Sequence, residues 1–198
     1  MVSWPMINST FIVLIPKVDS PKRLNDFRPI SLVGSMYKIL AKVLAIRLRV
    51  VIGSVISDSQ SAFIKGRQIL DGILVANEVV DEACKHKKEL LQFKVDFEKA
   101  YDSIDWRYLD AVLLKMGFPT LWRKWIKECI GTASASVLVN GSPTDEFYLE
   151  RGLKQGDPLS PFLFLLVAEG FNVLVESLLL HNIFTGYKVS GVSSSVCR

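Results

Sequence analysis

Hydrophobic and polar residues follow two different periods along the first half of the chain, and each period predicts one kind of element. The stretch TFIVLIPK (10–17) is a continuous apolar run of strand length, which predicts a strand buried on both faces. Helical spacing begins at Ser35 and again at Ile69, so we predict a helix at each position. In LLQFKVDF (90–97) apolar residues alternate with polar ones, which predicts a strand with Asp96 near its end.

The second half of the chain interleaves predicted helices with a hairpin. Asp105 and Gly117 are typical of the first and last caps of a helix, and another helix is predicted after Pro119. The pair Asn140-Gly141 supplies the positive φ angles of a two-residue hairpin turn. Because strands and helices interleave irregularly rather than as regular βαβ units, we predict an α+β fold.

The apolar stretch 158–180 has the length of a membrane span, but its polar residues indicate otherwise. Glu169, Asn172 and Glu176 recur three and four positions apart, which places them on one stripe of a helix that begins near Ser160. This spacing favours an amphipathic helix buried in a protein core over a membrane span. We therefore expect no membrane among the partners.

Composition and charge leave the class of partner open. The 24 Lys and Arg residues exceed the 20 Asp and Glu residues by a modest +4, which permits a phosphate-rich partner without requiring one. The three cysteines are far apart, without a CxxC spacing and without a neighbouring histidine. This pattern argues against a zinc site or a disulfide framework and favours a reducing, intracellular location. The N-terminal residues lack the features of a secretory signal.

Four carboxylates, Asp96, Glu98, Asp102 and Asp105, lie within the stretch QFKVDFEKAYDSIDW (92–106). They have three interpretations: ligands of a divalent metal, an acid–base pair, or a helix cap and a solvated turn. Magnesium takes one or two carboxylates and completes its shell with water and substrate phosphates, so Asp96 alone would form a partial site. Asp105 is better explained as a helix cap, and Glu98 and Asp102 as residues of a solvated turn.

The loop RGLKQGDPLSP (151–161) is a second candidate for ligand chemistry. Gly152 and Gly156 allow close approach of backbone to a ligand, while Lys154 and Gln155 offer donors to a phosphate or a base. A tight turn before a helix explains both glycines equally well. The loop does not match the Walker pattern GxxxxGK[ST].

Two further candidates have ordinary alternatives. Tyr101 is either a core aromatic or, beside a nucleotide, a ring next to the sugar. The predicted loop VDSPKRLNDFRP (18–29), together with the residue before it, is basic, and such a segment suits either a clamp on a triphosphate or an ordinary surface. The basic residues of this segment are Lys17, Lys22, Arg23 and Arg28.

Five blocks, in this order, resemble the reverse transcriptase domain of non-LTR (LINE-type) retrotransposons, especially those of plants. They are FIVLIPK, DFRPISLVGSMYKILAKVLAIRL, SQSAFIKGRQILDGILVANE, KVDFEKAYDSIDW and RGLKQGDPLSPFLF, and they cover nearly the whole chain. The resemblance implies a partial polymerase palm with fingers elements, in which an incomplete antiparallel sheet packs on helices. Residues 1–90 would form a fingers-like segment and residues 91–198 a partial palm, without a thumb.

The resemblance also assigns roles around the predicted strand end. Asp96 matches the first catalytic aspartate of the family, which binds two Mg²⁺ ions, and the backbone carbonyl of Phe97 would be a further ligand. Tyr101 matches the steric gate that rejects a ribose 2′-hydroxyl. In-line attack of a primer 3′-hydroxyl on a phosphate depends on positioned charge, which agrees with these residue types.

The remaining implied roles concern the incoming nucleotide and the strands. Lys17 and Arg28 match fingers residues that neutralise the triphosphate, and Gln155 and Gly156 match the loop that contacts the nucleotide and the template. The implied partners are an RNA template, a DNA primer and deoxynucleoside triphosphates. Retrotransposon machinery acts on nuclear DNA, which would place such a protein in the nucleus.

The sequence departs from the family pattern near its end, VSGVSSSVCR. The next block of the family is an aromatic-x-Asp-Asp hairpin with the second and third catalytic carboxylates, and no Asp-Asp pair occurs in the 198 residues. We therefore expect a truncated, inactive copy, poorly soluble because a sheet edge and apolar surface stay uncovered. The alternatives are a pseudogene product or a non-catalytic RNA-binding remnant that uses the basic stripe Lys38, Lys42 and Arg49.

Overall fold

A computed structural model describes residues 7–58, 60–92, 97, 99–183, 185–188 and 195–196. The predicted strand in 90–97 lies largely outside these residues, and so does Asp96. Leu91 and Gln92, which belong to the same prediction, are described and are not part of a strand.

The chain divides into two compact units, each built from two stretches of sequence. The first unit is Met1–Val50 with Lys99–Val167, and the second is Val51–Glu98 with Ala168–Arg198. The predicted boundary separates a fingers-like segment, 1–90, from a partial palm, 91–198. It describes lobes of a polymerase domain, whereas the two units describe which parts of the chain are compact. That boundary stays a prediction.

The first unit contains a mixed sheet in the order β2-β1-β3. Strand β1 (Ser9–Pro16) pairs with β2 (Phe27–Val33) in antiparallel register and with β3 (Ser134–Val139) in parallel register. Short strands β4 (Ser142–Pro143) and β5 (Phe147–Tyr148) pair with β3. The α+β class is confirmed, and the parallel pair makes the sheet mixed rather than antiparallel throughout.

Two predictions for the start of the chain are wrong. Strand β1 exists, but it is not buried on both faces, because Phe11 and Ile15 are 48% and 47% exposed. Pairing with β3 ends at Ile12, so the second half of β1 has only β2 beside it. Part of the predicted loop 18–29 is strand β2, whose Pro29 lies opposite Leu14. Proline is tolerated there because β2 is an edge strand that needs fewer backbone donors.

The first four helices begin and end close to the predicted signals. Helix α1 is Ser35–Val55, and its residues 35–50 belong to the first unit. Helix α2 is Ile69–His86 in the second unit, and α3 (Trp106–Lys115) and α4 (Thr120–Gly131) belong to the first unit. The Asp105 carboxylate accepts hydrogen bonds from the backbone N–H groups of Arg107 (2.7 Å) and Tyr108 (3.2 Å), which confirms the predicted cap. Gly117 follows α3 with φ +78°, as a helix-ending glycine does.

The hairpin turn after β3 is also confirmed. Asn140 and Gly141 have φ +51° and +80°, and Val139 pairs with Ser142 across the turn. Both central residues with positive φ define the tight turn that matches the twist of paired strands.

Helix α5 (Ser160–Leu180) carries the predicted polar stripe. In the second unit the Glu169 carboxylate is buried and accepts hydrogen bonds from the Ser57 N–H and hydroxyl, both at 3.1 Å. Asn172 donates to Glu169 and to Glu176 at 3.3 and 3.4 Å. By length and composition α5 meets the requirements of a membrane-spanning helix. Its second half is not buried as predicted, since Leu174 is 57% exposed.

The second unit also contains helix α2 and a short strand pair. Lys87 ends α2 in the left-handed region with φ +50°, and the basic residues Lys85 and His86 occupy its last turn. Strands β6 (Tyr187–Lys188) and β7 (Ser195–Val196) pair in antiparallel register. Basic side chains at this helix end complement the negative end of the helix dipole.

Candidate active site

The end of the β1–β2 hairpin brings two candidate cations into one region. The Lys17 N–H donates to the Asp26 carbonyl at 2.7 Å, and the Lys17 ammonium donates to the Asn25 carbonyl at 3.1 Å. Arg28 lies opposite Ile15 in the register of the two strands. Both basic side chains are exposed. The hairpin therefore presents two positive charges to solvent at the same end.

The turn between these strands is held by one carboxylate. Asp26 accepts hydrogen bonds from the backbone N–H groups of Lys22 and Arg23, each at 2.8 Å. These bonds stabilise the ionised form, so the pKa of Asp26 is lowered. Lys22 and Arg23 thus contribute to the site through their backbone, which shapes the turn beside Lys17.

Tyr101 lies in the turn that precedes helix α3. Its ring is half-buried and packs against Phe164, with 5.5 Å between the ring centroids. Burial raises the pKa of the Tyr101 phenol. This contact agrees with the core-aromatic interpretation, while the exposed part of the ring leaves the predicted contact with a sugar as a prediction.

The loop that follows β5 connects the Tyr101 turn with the β1–β2 hairpin. The Gly152 N–H donates to the Ile104 carbonyl, and the Leu153 N–H donates to the Tyr101 carbonyl, both at 2.8 Å. Two residues further along, the Gln155 carbonyl accepts a hydrogen bond from the Ser31 N–H of β2 at 2.7 Å. One short segment therefore holds together candidate residues that are more than a hundred positions apart in sequence.

Both predicted loop glycines are required by close approach of protein backbone. Gly152 has φ +83°, and a Cβ atom there would lie 2.9 Å from the Asp102 carbonyl oxygen. Gly156 has φ +97°, and its Cβ would lie 3.1 Å from the Ser31 carbonyl oxygen. The tight-turn interpretation of these glycines thus has a direct physical reason. Their predicted approach to a nucleotide stays a prediction.

Gln155 combines a bound backbone with an available side-chain acceptor. Its side-chain carbonyl oxygen is buried and has no hydrogen-bond partner in the part of the chain that the structure describes. Leaving a buried acceptor unpaired costs free energy of about 1–3 kcal/mol. The neighbouring Gly156 is exposed. The pair therefore offers an exposed backbone beside an unsatisfied acceptor.

Lys154 does not face a ligand, although its position in the loop predicted a donor to phosphate. The side chain is 6% exposed, and its ammonium donates to the side-chain oxygen of Asn8. The ammonium also lies 4.0 Å from the ring centroid of Tyr37 in helix α1. The Lys154 side chain therefore points into the protein interior, where its contacts with Asn8 and Tyr37 hold the loop in place.

A second buried charge lies three residues after Lys154. The Asp157 carboxylate accepts hydrogen bonds from the Tyr37 hydroxyl at 2.9 Å and from the Leu159 N–H at 3.1 Å. The Asn8 amide donates to the Cys129 carbonyl at 2.9 Å, which links the same cluster to helix α4. We call Asn8, Tyr37, Lys154 and Asp157 the buried polar cluster.

Burial shifts the acid–base properties of this cluster. It lowers the pKa of Lys154 to about 8, against the partial compensation of the Asp157 charge. Burial likewise raises the pKa of Asp157 and that of Tyr37. The sequence offered one signal for these residues, a lysine and an aspartate that flank Gln155-Gly156. It offered none for Asn8 and Tyr37.

Of the two predicted metal ligands, Phe97 is described by the structure and Asp96 is not. Glu98 is also outside the described residues, and Phe97 is 49% exposed, with its ring edge-on to Phe171 at 6.4 Å in the second unit. Among the described residues no group of three His, Cys, Asp or Glu side chains could hold a metal ion. Carboxylate and backbone carbonyl oxygens are the ligands that Mg²⁺ prefers, so the chemistry of Asp96 and Phe97 fits this ion.

Comparison with known proteins identifies related sequences. A family model described as reverse transcriptase (RNA-dependent DNA polymerase) matches residues 15–185. The "Transposon TX1 uncharacterized 149 kDa protein" of Xenopus laevis is 32% identical over 163 residues, which is 82% of this chain and 12% of that protein.

Two further relatives are retrotransposon polyproteins of insects. The R2DM "Retrovirus-related Pol polyprotein" of Drosophila melanogaster is 32% identical over 157 residues, or 79% of this chain and 15% of the relative. An R2 polyprotein of Popillia japonica is 28% identical over 171 residues, or 84% of this chain and 23% of the relative. The chain therefore spans between 12% and 23% of the length of these three relatives.

Proposed function

The chain belongs to the reverse transcriptase family of non-LTR retrotransposons, and we propose that it forms the nucleotide-binding part of an RNA-directed DNA polymerase. The observation that carries this proposal is the loop 152–156. Its backbone bonds to Tyr101, to Ile104 and to Ser31 bring the loop, the Tyr101 turn and the fingers-like hairpin into one compact unit. The plant origin that the resemblance implies stays a prediction.

Each candidate side chain has a defined task in this proposal. Lys17 and Arg28 offset the negative charge of a triphosphate, and the planar guanidinium of Arg28 suits two phosphate oxygens. Tyr101 presents the exposed part of its ring to the sugar and excludes a 2′-hydroxyl. The exposed backbone at Gly156 and the side chain of Gln155 contact the base or the template.

The proposed metal ligands are Asp96 and the carbonyl of Phe97. Magnesium bound there would supply positive charge to the phosphates of the nucleotide during transfer. The sequence contains no Asp-Asp pair, so we propose that these 198 residues bind nucleotide without extending a primer by themselves. The template, the primer and the deoxynucleoside triphosphate are the proposed partners.

Calorimetric titration of the full chain with dATP and ATP in magnesium buffer tests nucleotide binding. We expect Arg28→Ala to weaken dATP binding about ten-fold, which corresponds to about 1.4 kcal/mol. Lys124→Ala, an exposed basic residue of α4, is the matched control and should bind as the wild type does. Tyr101→Ala should bring the affinity for ATP close to that for dATP. Equal dATP binding by Arg28→Ala and the wild type would refute the proposed clamp.

A primer-extension assay on an RNA template tests the proposed lack of activity. We expect no template-directed incorporation by the 198 residues, because Asp96 by itself cannot hold two metal ions. Incorporation that Asp96→Asn abolishes would contradict this part of the proposal and leave the nucleotide-binding part intact.

RNA binding without nucleotide binding is the alternative function. It is supported by the exposure of Lys38, Lys42 and Arg49 along helix α1. Contacts of this kind release counterions, so RNA affinity would fall steeply with salt concentration. Salt-dependent RNA binding by a chain that does not bind dATP would favour this alternative.

A further inference from the structure

Helix α1 has two apolar faces, and one of them is uncovered. The first face is buried at 5% exposure or less and consists of Tyr37, Ala41, Leu44, Ala45 and Leu48. The second face, which we call the exposed stripe, has exposures of 66%, 62%, 44%, 53% and 82%. Its members are, in order, Met36, Ile39, Val43, Ile46 and Val50. Scattered exposed apolar residues are common on protein surfaces, but a continuous stripe of large side chains indicates an interface.

The spacing of the exposed stripe is that of a helix-pairing seam. Its members follow one another at intervals of three, four, three and four residues. Alternation of three and four keeps apolar side chains on one seam that a second helix can follow. At about 100° per residue, the stripe lies on the side of α1 opposite to the buried face.

The borders of the exposed stripe are basic on both sides. By helical position Lys42 and Arg49 border it on one side and Arg47 on the other, and α1 contains no Asp or Glu. The Arg49 guanidinium lies 5.4 Å from the Phe162 ring centroid, which fixes one of these charges at the border.

A groove beside the stripe widens this surface. It has a volume of about 600 Å³ and lies between α1 and α4 in the first unit. Val43 and Leu40 of α1 line one wall, and Leu121 and Trp125 of α4 line the other. On the α4 side Lys124 and Glu128 contribute one charge of each sign, so the positive charge of this surface comes from α1.

We propose that the exposed stripe is the docking surface for an amphipathic helix of a partner protein, with apolar residues at the same spacing and acidic residues on both borders. A seam of five apolar side chains is buried by another helix, whereas phosphate contacts would leave it in water. The basic borders select the charge of the partner. A second copy of the same helix would set Lys42, Arg47 and Arg49 against like charges, which disfavours self-association.

Binding of synthetic peptides to the full chain tests this surface. The probe is a fluorescein-labelled helical peptide of about three heptads with Leu at the seam positions and Glu at both borders. The control peptide carries Lys at the same border positions. Fluorescence anisotropy should show that the Glu-bordered peptide binds at least about ten-fold more tightly than the control. Equal affinity for both peptides would overturn the proposed charge selection.

Variants of the stripe connect the measured binding to these residues. Ile46→Asp should abolish binding of the Glu-bordered peptide, while Leu24→Asp, at an exposed apolar residue outside the stripe, should bind as the wild type does. The double variant Lys42→Glu, Arg47→Glu should prefer the Lys-bordered peptide, and it keeps the test valid if Ile46→Asp does not fold. Unchanged peptide binding by Ile46→Asp, or an unchanged preference of the double variant, would overturn the proposal.

Three other occupants are distinguished with the same variants. Sedimentation velocity would reveal a dimer that Ile46→Asp dissociates. Single-stranded RNA and phosphatidylserine vesicles, added separately, would bind in an Ile46-dependent manner if nucleic acid or a membrane occupied the stripe. Any of these results without binding of the Glu-bordered peptide would overturn the proposal.

Discussion

Two lysines of the first unit, Lys17 and Lys154, have opposite surroundings. Lys17 is exposed at the hairpin end, where its ammonium donates to the Asn25 carbonyl at 3.1 Å. Lys154 is 6% exposed, and its ammonium lies between the Asn8 side chain and the Tyr37 ring. Burial lowers the pKa of Lys154 to about 8. A charge next to the candidate site thus serves either the ligand or the fold, and burial decides which.

The two regions are coupled through strand β2. The Ser31 N–H donates to the Gln155 carbonyl, so the loop that Lys154 anchors also contacts the strand that carries Arg28. A substitution at Lys154 should therefore disturb both the loop and the end of the β1–β2 hairpin, whereas a substitution at Lys17 should leave both in place.

Removal of the buried lysine is expected to have the largest effect. Lys154→Ala should lower the free energy of unfolding by about 3–5 kcal/mol, because it leaves Asp157 buried without its cationic neighbour. Lys17→Ala is the matched control and should change stability by less than about 0.5 kcal/mol. Urea denaturation followed by circular dichroism measures both. Equal unfolding midpoints for the two variants would contradict a structural role of Lys154 that Lys17 does not share.

A methyl group on the loop glycine should have the next largest effect. Gly152→Ala should cost about 1–3 kcal/mol of stability, because it combines an unfavourable positive φ with a contact of 2.9 Å to the Asp102 carbonyl. Gly141→Ala at the hairpin turn is the control, since its φ is also positive but no atom lies within 4 Å of the added Cβ. In thermal unfolding, Gly152→Ala should have a lower midpoint temperature than Gly141→Ala. The reverse order would show that the close approach at Gly152 is not limiting.

The buried lysine also predicts a pH dependence with a defined sign. Its folded-state pKa of about 8 lies below the ordinary value of 10.5, so the unfolded chain binds more protons between these values. The stability of the wild type relative to Lys154→Met should therefore rise by about 2 kcal/mol between pH 8 and pH 10.

Comparison with Lys154→Met is needed because other groups titrate in the same range. The pKa of Cys129 is raised by burial to about 11, and that of Tyr37 is raised as well, and both oppose the effect of Lys154 at high pH. Burial, which is the largest cause of both shifts, is common to the wild type and the variant. Urea denaturation at three pH values between 8 and 10 gives the difference, and a difference that falls with pH would contradict a buried ammonium.

The smallest expected effect on stability belongs to the neighbouring glutamine. Gln155→Ala relieves the cost of a buried acceptor without a partner in the described chain, but it also loses the packing of that side chain, and it keeps the backbone bond to Ser31. Because the first two effects oppose each other, stability should change by less than about 0.5 kcal/mol. The dATP affinity should fall nonetheless if the side chain contacts the nucleotide. Calorimetry and urea denaturation of one preparation separate the two effects. A large loss of stability in Gln155→Ala would show that this side chain, like Lys154, stabilises the fold.

Local signals in the sequence predicted much of the fold. The Asp105 cap, the glycine that follows α3 and the turn at Asn140-Gly141 each depend on atoms within a few residues. The cap and the turn are confirmed, and α3 ends two residues before Gly117, which has the expected positive φ. Strand β2 was missed because Pro29 is typical of loops. Its edge position, which makes proline acceptable, depends on pairing with a distant strand.

The candidate site was predictable only in part. Residue types and the family resemblance selected Lys17, Arg28, Tyr101, Gln155 and Gly156, and the structure brings the loop, the turn and the hairpin together. Asp96 and its predicted metal ions lie outside the described residues and stay predictions. Asn8 and Tyr37 could not be found from sequence, because nothing near either residue indicates a buried charge.

The sequence by itself determined the helices, their caps, the hairpin turn and the family. The tertiary structure decided which charges face solvent and which are enclosed. Lys154 meets Asn8 from 146 positions away, and Tyr37 meets Asp157 from 120 positions away. Local signals act between neighbours in the chain, whereas burial arises from segments that meet only after folding. For this reason the same basic side chain is a ligand candidate at Lys17 and a structural anchor at Lys154.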